Sequence, residues 1–174
     1  TGHGVPGAFM SMLGISFLNK IVLERNVLTP DQILEQMRSN VISSLHQGDF
    51  EGTTKDGMDM ALCVVDLDTL ELTFSGAYNP VVIISNNEAF ELKPNRMPVG
   101  LHVKMGPFTA EAYQLKAGDC VYLFSDGIQD QMGGPDGRKF MRKNLRELLL
   151  ANHKKPFGEQ QQIIDETIEQ WRAC

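Results

Sequence analysis

The chain has 174 residues, of which 42% are hydrophobic and 22% charged, with a formal net charge of −6. These values are typical of one globular domain with a sizeable core. The excess of 22 acidic over 16 basic residues argues against a general nucleic-acid partner. No apolar run approaches the roughly 18 residues of a membrane span, so we expect no membrane segment. The three cysteines show no disulfide or zinc pattern, which favours a cytoplasmic protein.

The first helix is predicted at 6–23, where apolar residues recur every four positions. The same helix carries a stripe of small residues, Gly7, Ser11 and Gly14. Glycine in a helix costs about 1 kcal/mol relative to alanine, so some contact should offset it. The stripe indicates either the close approach of another backbone or contact with a ligand or a moving partner helix.

The second helix is predicted at 29–46, because Thr29-Pro30-Asp31-Gln32 is a capping box with proline at the first helical position. The polar, glycine-rich segment 47–57 follows as a long loop. Loops of this length are usually mobile or functional.

The period of the pattern then changes to that of strands, predicted at 58–66, 71–77, 81–85, 89–92, 109–115 and 120–124. Short connections predict antiparallel neighbours, with a hairpin turn at 116–119 and a central position for the continuously apolar segment 120–124. A glycine-rich loop at 133–137 and helices at about 140–152 and 156–171 close the chain, the last with Phe157, Ile164, Ile168 and Trp171 on one face. The order predicts an α+β fold with helices packed on antiparallel sheet. The basic run 138–143 is interpreted as the solvated start of a helix.

Three polar segments are candidates for chemistry. In Thr1–Gly4, glycines flank His3 just before a helix, which suits either an anion site or a tight turn. Asp126 follows a buried strand and is placed either to bind a hard cation or to form a plain Asp-Gly turn. Asp59 lies in an otherwise apolar strand and points either to solvent, the favoured interpretation, or into a site.

Five stretches together resemble the SpoIIE/RsbU branch of the metal-dependent serine/threonine phosphatases (PPM, protein phosphatase 2C-like). They are T-G-H-G-V-P-G-A-F-M-S, D-G-M-D-M-A-L, F-S-G-A-Y-N-P, M-P-V-G and L-F-S-D-G-I-Q-D-Q. The resemblance runs in order over essentially all of the chain. It implies an α-β-β-α sandwich of two antiparallel sheets with flanking helix pairs, and a site for two Mn²⁺ or Mg²⁺ ions.

The resemblance carries over to few residues. It makes Asp126 a metal ligand, with Asp59 as a weaker candidate, and places Gly2, Gly4 and Gly127 near metal or phosphate. Catalysis is assigned to a metal-bound water, with His3 as a further candidate. The resemblance also implies that the helix carrying Gly7, Ser11 and Gly14 shifts to tune the metal site. Gly14→Leu would then change activity while leaving thermal stability nearly unchanged.

The family pattern places another metal-binding aspartate two residues before Thr1, an earlier acidic ligand on an upstream strand, and a closing D-D segment after Cys174. We therefore expect residues 1–174 to be one partial phosphatase domain, lacking N-terminal strands and a C-terminal strand. Such a piece should bind metal weakly and hydrolyse little substrate. It should also expose an apolar sheet edge that favours self-association, for example as a homodimer.

The implied function is hydrolysis of phosphoserine or phosphothreonine in bacterial signalling. The family implies upstream sensor domains, a parent protein that is either cytoplasmic or membrane-anchored, and a phosphorylated anti-sigma-factor antagonist as substrate. The alternative is a catalytically inactive pseudophosphatase or scaffold that binds a signalling partner. The sequence does not identify the substrate, the sensory input, the oligomeric state or the preferred metal.

Overall fold

The computed structural model describes residues 4–24, 29–48 and 56–173. Its helices are α1 Gly4–Glu24, α2 Pro30–Ser44, α3 Asp126–Gln129, α4 Met141–Asn152 and α5 Phe157–Arg172. Its strands are β1 Met60–Val65, β2 Glu71–Ala77, β3 Val81–Ser85, β4 Glu88–Leu92, β5 Glu111–Gln114, β6 Cys120–Leu123, β7 Met132–Gly133 and β8 Arg138–Lys139. The chain forms two compact units, Thr1–Pro80 with Leu92–Leu115 and Val81–Glu91 with Lys116–Cys174.

In the first unit α2 packs against a sheet with the strand order β1-β2-β5, and α1 packs against α2. The capping box is present at the start of α2, where the Thr29 N–H donates to Gln32 Oε1 at 3.4 Å. One face of α2 forms the centre of the core, since Leu34, Met37 and Val41 are completely buried. The predicted helices of this unit are confirmed to within a few residues.

Helix α1 has a buried side and an apolar exposed side. Gly7, Met10, Gly14 and Ile21 are buried, whereas Phe9 remains 63% exposed. By length and composition α1 could cross a membrane, with a mean hydropathy of 1.4 over its most apolar window. The prediction that no apolar run reaches that length is therefore wrong for this helix. The observation is weak evidence for a span, because core helices of soluble proteins meet the same criterion.

The second unit contains a three-stranded sheet with the order β4-β3-β6. All five residues of β3 are buried, and Val82 and Ile84 pack in one cluster with residues of α4 and α5. Trp171 closes this cluster, with its ring 5.3 Å from that of Phe140 and its carbonyl accepting the Gly134 N–H at 2.7 Å. The α+β architecture with antiparallel pairing agrees with the sequence prediction.

Two details of the predicted sheet are wrong, and the predicted glycine-rich loop at 133–137 is a turn flanked by two short strands. The turn at 116–119 does not join a hairpin, because β5 pairs with β2 and β6 with β3. In the described part of the chain β6 lies at a sheet edge although its residues are apolar, and Leu123 is 50% exposed. The glycine-rich loop is part of the small β7–β8 hairpin, in which Gly133 pairs with Arg138.

Two helix predictions also need correction. The sequence interpretation missed α3, a single turn whose apolar pattern is too short to detect. Phe157 does not share the buried face of α5, because it is the first residue of that helix and is 71% exposed. Ile164, Ile168 and Trp171 do pack on the core cluster of the second unit, as predicted.

Candidate active site

Asp126 lies in the second unit, directly beyond the C-terminal end of β6. Its neighbour Ser125 caps α3, since Ser125 Oγ accepts the Gly127 N–H at 3.4 Å. Asp126 is the first residue of α3 and is exposed. The fold therefore presents a carboxylate at the end of a strand, where oxygen ligation of a hard cation is feasible.

Asp59 lies in the first unit, exposed and one residue before β1. It is held there by an antiparallel bridge between Met58 and Val99 on its N-terminal side. The Met58 N–H donates to the Val99 carbonyl at 3.1 Å, and the Val99 N–H donates back at 2.9 Å. Two segments that are far apart in sequence, D-G-M-D and M-P-V-G, thus meet side by side.

The bridge is tight because glycine lies next to it. A Cβ atom added to Gly57 would lie 2.7 Å from Cβ of Pro98, a distance shorter than Cβ atoms in proteins normally have to other heavy atoms. The side chain of Gln47 links the two bridged segments by hydrogen bonds. Its Nε2 donates to the Asp56 carbonyl at 2.6 Å, and its Oε1 accepts the Leu101 N–H at 3.0 Å. Gln47 is only 5% exposed. Sequence analysis missed this residue, because a glutamine at the start of a polar loop gives no sign of burial.

The turn S-G-A-Y-N lies in the same unit and is tied to Asn95. The Tyr78 N–H donates to the Asn95 carbonyl at 3.0 Å, and the Asn95 N–H donates to the Gly76 carbonyl at 2.8 Å. Tyr78 has a φ of 58°, which is uncommon for a bulky side chain. Its hydroxyl lies 3.3 Å from Nε2 of His102. Five other non-glycine residues of the described chain, among them Leu70 and Met141, also have a positive φ, so this conformation by itself does not mark a site.

The small residues of α1 face this region through Gly14. A Cβ on Gly14 would lie 2.6 Å from Sδ of Met58, the bridge residue that precedes Asp59. The contact is therefore with a buried side chain and not with another backbone. Ser11 donates its hydroxyl to the Gly7 carbonyl at 2.9 Å and is exposed.

The remaining predicted residues are placed only in part. Gly4 is the exposed first residue of α1, and Gly127 follows Asp126 in α3. Gly2 and His3 lie outside the described residues. Asp126 belongs to the second unit and Asp59 to the first. The assignment of all these residues to a site stays a prediction.

The described residues do not by themselves fit a two-ion centre. Within residues 4–24, 29–48 and 56–173, no three His, Cys, Asp or Glu side chains form a group that could hold a metal ion. A single exposed carboxylate does not satisfy a divalent cation that takes about six oxygen ligands. Asp126 therefore supplies only one carboxylate toward such a centre.

A sequence model of one protein family matches residues 1–174, under the description Stage II sporulation protein E (SpoIIE). The chain belongs to the SpoIIE family. This SpoIIE-family chain is also similar to the SiaA-PP2C domain of Pseudomonas aeruginosa, with 28% identity and a TM-score of 0.88. That match covers 99% of this chain and 66% of the other. Among curated proteins, none matches this chain.

Two further structures share the fold of this SpoIIE-family chain. One contains the PP2C phosphatase domain and a fragment of the regulatory domain of SpoIIE from Bacillus subtilis, at 19% identity and a TM-score of 0.74, covering 99% of this chain and 48% of that one. The other contains the RsbU and RsbW domains of a protein from Mycobacterium tuberculosis, at 19% identity and a TM-score of 0.64, covering 88% and 41%. The chain therefore has the PP2C-like phosphatase fold, and it spans 41–66% of the length of these three chains.

Proposed function

We propose that the domain containing this chain is a metal-dependent phosphoprotein phosphatase that hydrolyses phosphoserine or phosphothreonine in bacterial signalling. The observation that supports this most strongly is the match of the whole chain to the SpoIIE family, together with its similarity to a PP2C domain over nearly its full length. The substrate is proposed to be a phosphorylated protein, such as an anti-sigma-factor antagonist, with sensor domains elsewhere in the parent protein.

The chain contributes one well-placed oxygen donor to this chemistry. Asp126 is exposed at the end of β6, and with the described residues its carboxylate makes no ion pair. A carboxylate in that position is available to a cation. Mn²⁺ or Mg²⁺ would supply Lewis-acid activation and charge neutralisation at a phosphoryl group. The further ligands that two such ions need are proposed to come from parts of the domain outside the described residues.

The first unit contributes a second candidate ligand, Asp59, and the helix that packs beside it. The bridge between Met58 and Val99 fixes the backbone on which Asp59 stands, and Gly14 of α1 packs directly on Met58. A movement of α1 would therefore be transmitted to this backbone through one side chain. We retain Asp59 as a weaker candidate ligand and α1 as a candidate regulatory helix on these contacts.

The proposal is tested by phosphate release from an aryl phosphate, using the domain with its native flanking residues restored. We expect turnover that requires added Mn²⁺ or Mg²⁺ and stops when a chelator removes the ion. A phosphoserine or phosphothreonine peptide should be hydrolysed and a phosphotyrosine peptide should not.

Circular dichroism and thermal unfolding provide the control that the flank-complete domain is folded. A folded domain that binds Mn²⁺ but releases no phosphate from any substrate would contradict the proposal. That result would support the pseudophosphatase or scaffold.

A further inference from the structure

The second unit contains a cavity of about 750 Å³ at the N-terminal end of β6. Its wall includes the turn before β6 and the connection between α4 and α5. Three lysines line it, Lys116 from the turn and Lys154 and Lys155 from the connection. The cavity and Asp126 lie at opposite ends of β6, separated by roughly 10 Å of strand. It is therefore distinct from the candidate active site.

The charges around this cavity differ from those of the rest of the unit. Within the described part of the chain, none of the three lysine ammonium groups forms an ion pair. Five of the six other cations of the unit lie 2.8–3.9 Å from a carboxylate, and the sixth, Arg146, forms no ion pair with the described residues; the five are Arg138, Lys139, Arg142, Lys143 and Arg172. In a chain with a net charge of −6, three unpaired lysines around one cavity form a local positive patch.

One acidic residue also lines the cavity, and it already has a structural partner. Oδ2 of Asp119 accepts the backbone N–H of Lys116 at 2.9 Å, which closes the turn before β6. The imidazole of His153 is similarly engaged, with Nδ1 2.7 Å from the Leu150 carbonyl. These contacts hold the wall in place and leave the lysines as the groups available to a partner.

The cavity is also lined by an exposed apolar side chain and by side-chain amides that can hydrogen-bond to a peptide backbone. Phe157 lines the cavity next to Pro156 and is 71% exposed, which is unusual for phenylalanine. Asn86 and Asn87 also line the cavity and carry amide groups that both donate and accept hydrogen bonds. A partner that fits must combine negative charge with an apolar side chain.

We propose that this cavity is a docking surface for an acidic peptide segment of a protein partner, with carboxylates paired to Lys116, Lys154 and Lys155 and an apolar side chain against Phe157. The inference goes beyond the proposed phosphatase activity and does not depend on it. The charge complementarity of the lysines to carboxylates selects the acidic class of partner.

The arrangement suits a peptide better than a small anion. The three lysines are exposed, so each pairs weakly in a screened environment, and binding requires several carboxylates distributed along a chain. No arginine is among the described residues that line the cavity, so within them the bidentate geometry typical of tight phosphate recognition is missing. The volume lies in the range of peptide- or ligand-sized pockets and far exceeds one phosphate.

The test measures binding of a fluorescein-labelled peptide in which glutamates and aspartates are interrupted by leucines, by anisotropy at low and physiological salt. The triple variant Lys116→Glu/Lys154→Glu/Lys155→Glu should bind about tenfold more weakly, and Phe157→Ala severalfold more weakly. The matched control Arg138→Glu/Lys143→Glu/Arg146→Glu makes the same charge change on other exposed residues of the unit and should bind nearly as tightly as the original. Hydrolysis of an aryl phosphate should be unchanged in all three variants.

Three outcomes would overturn the proposal. The acidic peptide could bind no better than the same peptide with glutamines and asparagines. The two triple variants could lose equal affinity, which would indicate a general charge effect. Inorganic phosphate could displace the peptide stoichiometrically, which would assign the cavity to a small anion.

Discussion

At the scale of single residues, the first unit contains an ion pair that clamps a loop onto α2. Arg38 pairs with Glu35, donates to the Gly106 carbonyl at 2.8 Å, and lies 5.0 Å from the ring centre of Phe108. Glu35 Oε1 in turn accepts the Phe108 N–H at 2.7 Å. The Arg38 side chain is only 11% exposed, so this contact is shielded from water.

Removal of the clamp should destabilise the protein. Arg38→Met leaves the Glu35 carboxylate and the Gly106 carbonyl without their partner, and we expect a loss of about 2 kcal/mol in the free energy of unfolding. Urea-induced unfolding of the variant and the original protein measures this free-energy difference. Arg146→Met, which removes an exposed arginine of α4, is the control and should have almost no effect. Equal midpoints for the two variants would contradict the clamp.

The thiol of Cys63 gives a prediction for alkaline pH. Burial raises the pKa of Cys63 from 9.0 to about 11. Because the folded pKa is the higher one, the stabilising contribution is complete below about pH 9 and is lost as pH rises towards 11. The free energy of unfolding should therefore fall more steeply over this range in the original protein than in Cys63→Ala. Parallel curves for the two proteins would show that the thiol is not shielded.

At the scale of elements, α1 is fitted to the first unit through Gly14. A leucine there would occupy the space of the Met58 sulfur, and Met58 is only 2% exposed. We expect Gly14→Leu to lower the free energy of unfolding by about 1–3 kcal/mol, as overpacked cores do. The contact thus argues against unchanged stability in this variant. Ser16→Leu adds the same side chain on the exposed side of α1 and is the control.

Thermal unfolding and phosphate release, measured on both variants in the flank-complete domain, separate packing from regulation. If Gly14→Leu loses activity only in proportion to folded protein, α1 is a packing helix. A change in activity beyond that loss supports the regulatory helix. Full stability of Gly14→Leu would contradict the close contact with Met58.

The elements that the sequence predicts well are those with a complete local signal. The capping box at Thr29 and the apolar run of β3 are local patterns of neighbouring residues, and the predicted bounds of α2, β2 and β3 agree closely with the structure. Strand partners are not encoded locally. The pairing of β5 with β2 and the tertiary hydrogen bonds of Gln47 depend on residues far away in the chain. Asp126 stays a predicted site residue, proposed from the family resemblance together with its position after an apolar strand.

At the scale of the whole molecule, the edge position of β6 is the feature that needs explanation. In the described residues β6 pairs only with β3, and a cavity of about 490 Å³ beside it is lined by Tyr122, Ile128, Ile164 and Ile168 among others. An apolar edge strand is a template for pairing with another chain. The chain also spans 66% and 48% of two phosphatase-domain chains it matches. We infer that additional strands of the domain cover this edge.

This inference predicts a difference in association between two proteins. Residues 1–174 alone should self-associate with rising concentration, whereas the domain with its native flanks should remain smaller and unfold at a higher temperature. Sedimentation velocity measures the first property. A strictly monomeric 174-residue chain at high concentration would show that the β6 edge needs no cover.

We propose that Asp126 is a metal ligand of the phosphatase. Mn²⁺-dependent phosphate release by the flank-complete domain and by its Asp126→Asn variant, compared at matched stability, tests this role. We expect the variant to lose at least about a hundredfold in activity, because it keeps the shape of the side chain but removes the charge that favours the cation. Raised Mn²⁺ should restore part of the activity. Equal activity of the two proteins at every Mn²⁺ concentration would contradict the role of Asp126 as a ligand.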